Sequence, residues 1–134
     1  MSKIHIRTHN APAPSPYLSQ ATVVGNIAFL SGQLGIDPAT GKMVGGSVKD
    51  RTRQIFKNIA AVLEGSGSSL ADIAKVNVFL ADMKDFKDMN EVYMECLPEP
   101  RPARTCVAVK TLPQGSDVEI ECSAVVTGTV KAKL

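Results

Sequence analysis

Near its C-terminus the chain reads Val118-Glu119-Ile120-Glu121-Cys122-Ser123-Ala124-Val125-Val126-Thr127, a stretch in which apolar and mixed positions alternate. Successive side chains of a β-strand point to opposite faces of the sheet, so this period of two predicts a strand. One face carries Val118, Ile120 and the apolar residues that follow them, whereas the other carries Glu119 and Glu121. The apolar face is expected to pack on a core, and the mixed face to meet solvent or another subunit.

Residues 103–109 alternate in the same way and are predicted to form the preceding strand, separated from the last one by the turn-rich residues 112–117. Arg104 and Cys106 fall on the mixed face of that strand. If the helices cover the purely apolar faces, the mixed faces of both strands lie together on the opposite side. A face that combines small, apolar and charged groups is typical of a subunit interface that contains a site.

The rest of the chain supplies four more strands and two helices. Strands are predicted within residues 1–10 and at 21–24, 27–31 and 73–80, with the middle two joined as a hairpin. The order β-β-β-α-β-α-β-β predicts a single domain over residues 1–134. Its fold class is α+β, a two-layer sandwich in which two helices cover one face of a mixed six-stranded sheet.

Both helices carry recognisable boundary signals. Ser47 is predicted to cap the first helix, with Asp50 three residues later completing a capping box, and Gly65 is a natural stop. The second helix is predicted to start at Asp85 and to end before Pro98.

Composition and charge argue against several classes of protein. The 15 basic and 13 acidic residues are scattered, without the basic stripe that a nucleic-acid-binding protein needs. Three cysteines without a CxxC pair make a poor disulfide framework, so a reducing compartment is expected, the cytoplasm first and an organelle second. The first ten residues lack the apolar core of a signal peptide, and no apolar run approaches the ~20 residues that cross a bilayer.

Three motifs occur in order: Ser31-Gly32-Gln33-Leu34-Gly35, then Asn90-Glu91-Val92-Tyr93, then Arg101-Pro102-Ala103-Arg104-Thr105-Cys106-Val107 followed by Leu112-Pro113 and Val118-Glu119-Ile120-Glu121. Together they resemble the RidA/YjgF family of imine deaminases over nearly the whole chain. The resemblance implies a fold like that of chorismate mutase, assembled as a homotrimer around a central barrel with clefts between subunits. It also implies hydrolysis of 2-imino acids, such as 2-iminobutanoate and 2-iminopropanoate, to 2-oxo acids and ammonia.

The expected chemistry needs water as second substrate and neither cofactor nor metal. Arg104 offers a planar fork of donors that can bind the substrate carboxylate, and Glu119 is expected to orient or deprotonate the water. Cys106 is expected to line the cleft through its backbone; no histidine lies nearby in sequence to activate its thiol as a nucleophile. Four further residues match substrate-binding positions of the family's cleft: Tyr17, Ser31, Gly32 and Asn90.

The chain departs from the family pattern at two places. It has one extra residue between Tyr17 and the strand that begins at Ala21, which a loop or bulge must absorb. It also has Arg101 where an aromatic residue is usual, which places a second cation near Arg104 in sequence.

Two other functions compete with imine hydrolysis. Relatives have been described as ribonucleases that inhibit translation, but aromatic residues are only 4% of this chain and no aromatic RNA-binding motif is present. A non-catalytic trimer, acting as a binder of small carboxylates or as a chaperone, would use Arg104 equally well. Such a binder would gain nothing from the carboxylate of Glu119 beside a bound anion.

Overall fold

The computed structural model describes residues 2–134. Its elements have these bounds: β1 (Lys3–Ile6), β2 (Ala21–Val24), β3 (Ile27–Leu30), β4 (Ile36–Asp37), β5 (Lys42–Met43), α1 (Val48–Gly65), β6 (Ile73–Leu80), α2 (Phe86–Cys96), β7 (Ala103–Ala108) and β8 (Val118–Val125). Within the described range no helix is long and apolar enough to cross a membrane. All three cysteines are free. The cytoplasmic location stays a prediction.

Six strands form one mixed sheet in the order β1-β2-β3-β8-β6-β7. Neighbouring strands are antiparallel except β6 and β7, which run parallel because α2 connects them. The predicted fold class is therefore confirmed. The two-residue strands β4 and β5 form a separate hairpin, which the sequence pattern did not predict.

The boundaries of α1 follow the predicted capping signals. The Ser47 hydroxyl accepts a hydrogen bond from a first-turn amide, and the Asp50 carboxylate accepts one from the Ser47 amide at 2.9 Å. The helix ends at Gly65 as predicted, but the residue that turns the chain is Gly67, whose φ is +80°. Only glycine adopts this left-handed backbone without strain, so Gly67 turns the chain away just after the helix has ended.

The core lies between the helices and one face of the sheet. Three residues of β8 align with three residues of β6 on this face, and all six are buried: Val118 with Leu80, Ile120 with Val78, and Cys122 with Val76. Burying one aliphatic side chain of this size contributes about 1.5–3 kcal/mol to folding. The alternation in residues 118–125 therefore decides which face of β8 the helices cover.

The prediction that the mixed faces of β7 and β8 lie together is wrong. Arg104 and Cys106 align with Val76 and Val78 of β6, which are buried under the helices, so their side chains lie on the helix face. The glutamates of β8 lie on the opposite, open face. A charged residue is tolerated on the helix side because β7 is the edge strand, where the core ends and Arg104 stays half-exposed.

Candidate active site

Arg104 lies on edge strand β7 beneath α2, where it is held by uncharged groups. Its Nη1 donates a hydrogen bond to Asn90 Oδ1 at 2.6 Å. Its guanidinium carbon lies 4.7 Å from the centroid of the Tyr93 ring and 5.7 Å from that of Phe86. Nowhere in residues 2–134 does a carboxylate come within ion-pairing distance of this guanidinium. We call Asn90, Arg104 and Cys106 the arginine half-site.

Cys106 presents its backbone to the free edge of the sheet. Just beyond β7, the amide of Val109 donates to the carbonyl of Leu80 at 2.8 Å. Because backbone groups of successive residues alternate between the two edges of a strand, the amide and carbonyl of Cys106 point away from β6. Burial raises the pKa of the Cys106 thiol, while the charge of Arg104 opposes that shift. A raised pKa disfavours the thiolate, so the thiol is poorly suited to nucleophilic attack.

Glu119 lies on the open face, beside a cavity of about 220 Å³. Four predicted site residues line this cavity, and we call them the glutamate half-site: Tyr17, Ser31, Gly32 and Glu119. Residues 12–14, with Leu34 and Ile36, add a mainly apolar wall. The cavity therefore combines one carboxylate with a surface suited to a small aliphatic side chain.

Burial is the main cause that raises the pKa of Glu119, and the negative charge of Glu121 adds to it. Glu121 is two residues along the same strand and accepts a hydrogen bond from Asn77 Nδ2 at 3.1 Å. A carboxyl group whose pKa is moved toward neutrality can both take up and return a proton, which general acid-base catalysis requires.

Gly32 packs directly against the Glu119 side chain. A two-way backbone bridge between Gln33 and Ile120 brings the two residues together. A Cβ atom on Gly32 would lie 2.9 Å from Glu119 Cδ, closer than real Cβ contacts. The Glu119 side chain therefore occupies the space beside Gly32 that a Cβ atom would need.

The loop before β2 absorbs the extra residue that follows Tyr17. The hairpin register is regular from Ala21 onward, so no side chain changes face. The buried Gln20 side chain accepts a hydrogen bond from the Thr8 amide at 2.7 Å and donates to two loop carbonyls at 3.0 Å each. The Ser31 hydroxyl donates to a carbonyl of the same loop at 2.6 Å. Tyr17 remains 86% exposed at the rim of the cavity.

Three residues that the sequence did not single out also contribute to the site: Gln20, Phe86 and Tyr93. A single glutamine before a strand carries no signal that distinguishes it from a solvated residue. Phe86 lies four residues before Asn90 and Tyr93 three residues after it, so all three fall on one face of α2, and this spacing is the signal that could identify them.

Arg101 does not belong to the arginine half-site, because its guanidinium is bound elsewhere. One of its nitrogens donates to the carbonyl of Met94 in the last turn of α2 at 3.2 Å, and another pairs with Glu99 at 3.1 Å. A cation at a helix C-terminus interacts favourably with the unsatisfied carbonyls there. Arg101 therefore stabilises the end of α2.

The two half-sites lie on opposite faces of the sheet. Arg104 aligns with Val76 on the helix face, whereas Glu119 aligns with Phe79 on the open face. β7 and β8 are also separated by β6, which places them about 10 Å apart across the sheet. One small molecule therefore cannot contact both side chains of the same chain. In the described part of the chain no three His, Cys, Asp or Glu side chains are grouped as metal ligands.

Comparison with known proteins matches residues 8–126 to the Endoribonuclease L-PSP family. The chain is 51% identical over 119 residues to a RutC family protein of Pyrococcus horikoshii, covering 89% of this chain and 94% of that protein. It is 43% identical over 121 residues to the 2-iminobutanoate/2-iminopropanoate deaminase of Dermatophagoides farinae, covering 90% of this chain and 94% of that one.

Solved structures agree with these sequence matches. RidA from an Antarctic Psychrobacter species superposes with a TM-score of 0.87 at 46% identity, covering 90% of this chain and 98% of that chain. Escherichia coli TdcF with bound serine superposes with a TM-score of 0.84 at 36% identity, covering 90% and 97%. This chain therefore belongs to the Endoribonuclease L-PSP family, the RidA/YjgF family that its motifs resemble.

Proposed function

We propose that this chain hydrolyses 2-imino acids to 2-oxo acids and ammonia at a site completed by a second copy of itself. The relative named as a 2-iminobutanoate/2-iminopropanoate deaminase supports the reaction, and the serine-bound TdcF structure supports a small amino-acid-like ligand. The observation that carries the proposal is the separation of two complementary half-sites. One offers an unpaired cation for a carboxylate, and the other a half-buried carboxylate beside a cavity.

The half-sites can meet only between copies, when the arginine half-site of one packs against the glutamate half-site of the next. Such a head-to-tail contact is heterologous and closes into a ring if the rotation permits. The open face offers apolar surface for this contact, because Phe29 is 52% and Val107 43% exposed. A shallow depression of about 520 Å³ adjoins Tyr17 on the same face. We therefore propose a homotrimer with three inter-subunit clefts, as the family resemblance implies.

In the proposed mechanism Arg104 binds the substrate carboxylate through the donors that Asn90 leaves free. Glu119 takes a proton from water while the water oxygen bonds to the imine carbon and the C=N π electrons move to nitrogen. Glu119 then returns that proton to nitrogen, which gives a carbinolamine. The Glu119 carboxylate next takes the hydroxyl proton of this intermediate and passes it to the amino group as the C–N bond breaks, so the C=O bond forms and ammonia leaves. The cleft wall is assigned to the remaining predicted residues: Tyr17, Ser31, Gly32 and the backbone of Cys106.

The test measures 2-oxobutanoate release from 2-iminobutanoate formed in situ by a threonine dehydratase, with semicarbazide as a competing trap. We expect the wild type to accelerate release, Arg104→Ala to raise KM strongly, and Glu119→Gln to lose kcat. The matched control Glu121→Gln removes a carboxylate from the same face of the same strand and should retain turnover at a pH where Glu119 is ionised. A wild-type rate equal to the enzyme-free rate would contradict imine hydrolysis.

The same variants separate the two competing functions. A non-catalytic carboxylate binder would show no turnover and would bind 2-oxobutanoate more tightly as Glu119→Gln, because the like charge is gone. A ribonuclease would cleave RNA in a reaction that weakens steeply with salt and is lost in Arg104→Ala.

A further inference from the structure

Three side chains of α2 enclose the Arg104 guanidinium. Phe86, Asn90 and Tyr93 are spaced four and then three residues apart, which places them on one face of the helix. The two aromatic rings lie within cation–π distance of the guanidinium, and the amide oxygen between them accepts one of its N–H groups. We call these three residues the aromatic cradle.

The cradle is anchored in the core. Tyr93 is only 4% exposed, and its ring packs edge-on against Phe56 with centroids 5.7 Å apart. Phe56 is a residue of α1 and belongs to the buried core. The surface on which Arg104 rests therefore cannot shift without disturbing the packing of both helices.

Every group in the cradle is uncharged. An acidic residue in the same place would hold Arg104 as firmly but would neutralise it and compete with an incoming anion. The aromatic faces attract the cation while leaving its in-plane N–H donors free, and Asn90 uses only one of them. The cradle thus fixes the orientation of the guanidinium and leaves its positive charge and free N–H donors available to bind a carboxylate.

We propose that Phe86 and Tyr93 are positioning residues that make Arg104 selective for a carboxylate over a neutral group. This inference rests on the proposed function, because it assigns the carboxylate to the imino acid substrate. It goes further in assigning a role to two residues that do not themselves touch the substrate. Loss of either ring should lower affinity for carboxylates while leaving affinity for neutral analogues nearly unchanged.

The variants follow from the contacts. Phe86→Leu and Tyr93→Leu remove a ring and should weaken binding of 2-oxobutanoate about 2- to 30-fold, the range of a cation–π contact between exposed and desolvated settings. Tyr93→Phe should keep wild-type affinity, because the Tyr93 hydroxyl is buried without a hydrogen-bond partner in the described residues and the ring is retained. Phe86→Tyr also retains its ring and should behave in the same way.

The experiment titrates the intact protein with 2-oxobutanoate and with the neutral 2-oxobutanamide by calorimetry, and measures KM and kcat for imine turnover in parallel. Val92→Ala is the stability control, since Val92 is fully buried on the same helix but belongs to neither half-site. It should lower the unfolding midpoint and leave the ratio of the two affinities unchanged. The Leu variants should reduce that ratio and raise KM more than they lower kcat.

Two outcomes overturn the proposal. One is an unchanged affinity ratio in folded Phe86→Leu and Tyr93→Leu; the other is a wild type that binds carboxylate and amide equally. Failure of the proposed function is recognised separately, because a wild type without imine turnover can still show the carboxylate selectivity and its loss in the Leu variants. In that case the cradle stands and only the reaction is rejected.

Discussion

At a substrate concentration far below the raised KM of Arg104→Ala, two impaired variants should restore activity when they share assemblies, because each proposed site takes its half-sites from different copies. Arg104→Ala keeps the glutamate half-site, and Glu119→Gln keeps the arginine half-site. In assemblies formed at random from equal amounts, an intact site needs its arginine from one variant and its glutamate from the other, each with probability of about one half. The mixture should regain about one quarter of wild-type activity, whatever the number of copies in the ring.

This magnitude depends on the geometry of the sheet. Arg104 and Glu119 lie on opposite faces, on strands separated by β6, so no intact site can arise within one chain of either variant. Both side chains are only half-buried, so neither substitution opens a cavity in the core. Each variant is therefore expected to fold and to assemble.

The assay co-refolds the variants, verifies the mass of the assembly by light scattering, and follows 2-oxobutanoate release. A second mixture combines wild type with the double variant carrying both substitutions. It should give about one quarter of wild-type activity per chain if sites are shared, and about one half if each chain holds its own site. The shared site would be refuted if the first mixture were no more active than the separate variants and the second mixture kept about one half of wild-type activity per chain.

Three further predictions concern single groups. Glu119 must be ionised to take a proton from water, so kcat/KM should fall as pH drops through its pKa. The charge of Glu121 contributes to the raised pKa of Glu119, and Glu121→Gln should therefore move this fall to lower pH. An unchanged pH profile would show that the two carboxyls do not interact. Gly32→Ala should lower kcat at least about 10-fold by displacing Glu119, as judged against Gly45→Ala, whose added Cβ meets nothing within 4 Å; equal rates in both variants would contradict the contact. Gly67→Ala should lower the free energy of unfolding by about 2 kcal/mol in urea titrations. The reason is that Gly67 has a φ of +80° and that its added Cβ would lie 2.8 Å from two carbonyl oxygens. Gly45→Ala again serves as the reference.

Much of the fold could be predicted because its signals are local. The capping box at Ser47 and the period of two along residues 118–125 depend on neighbours within a few positions, and both were confirmed. The parallel pairing of β7 with β6 brings together residues that are 28 positions apart, and the pairing of β3 with β8 joins residues that are farther apart still. Local patterns contain no information on such pairings, so the face of β7 was assigned wrongly.

The candidate residues divide in the same way. Motif resemblance nominated Arg104 and Glu119 from residue type and order, and alternation showed correctly that each strand has two unlike faces. Only the sheet order decided that these faces point in opposite directions and that Phe86 and Tyr93 enclose the guanidinium. Chemical identity and local periodicity are properties of the chain itself. The distance between two half-sites depends on which strands pair, because that pairing is selected by burial of the whole core.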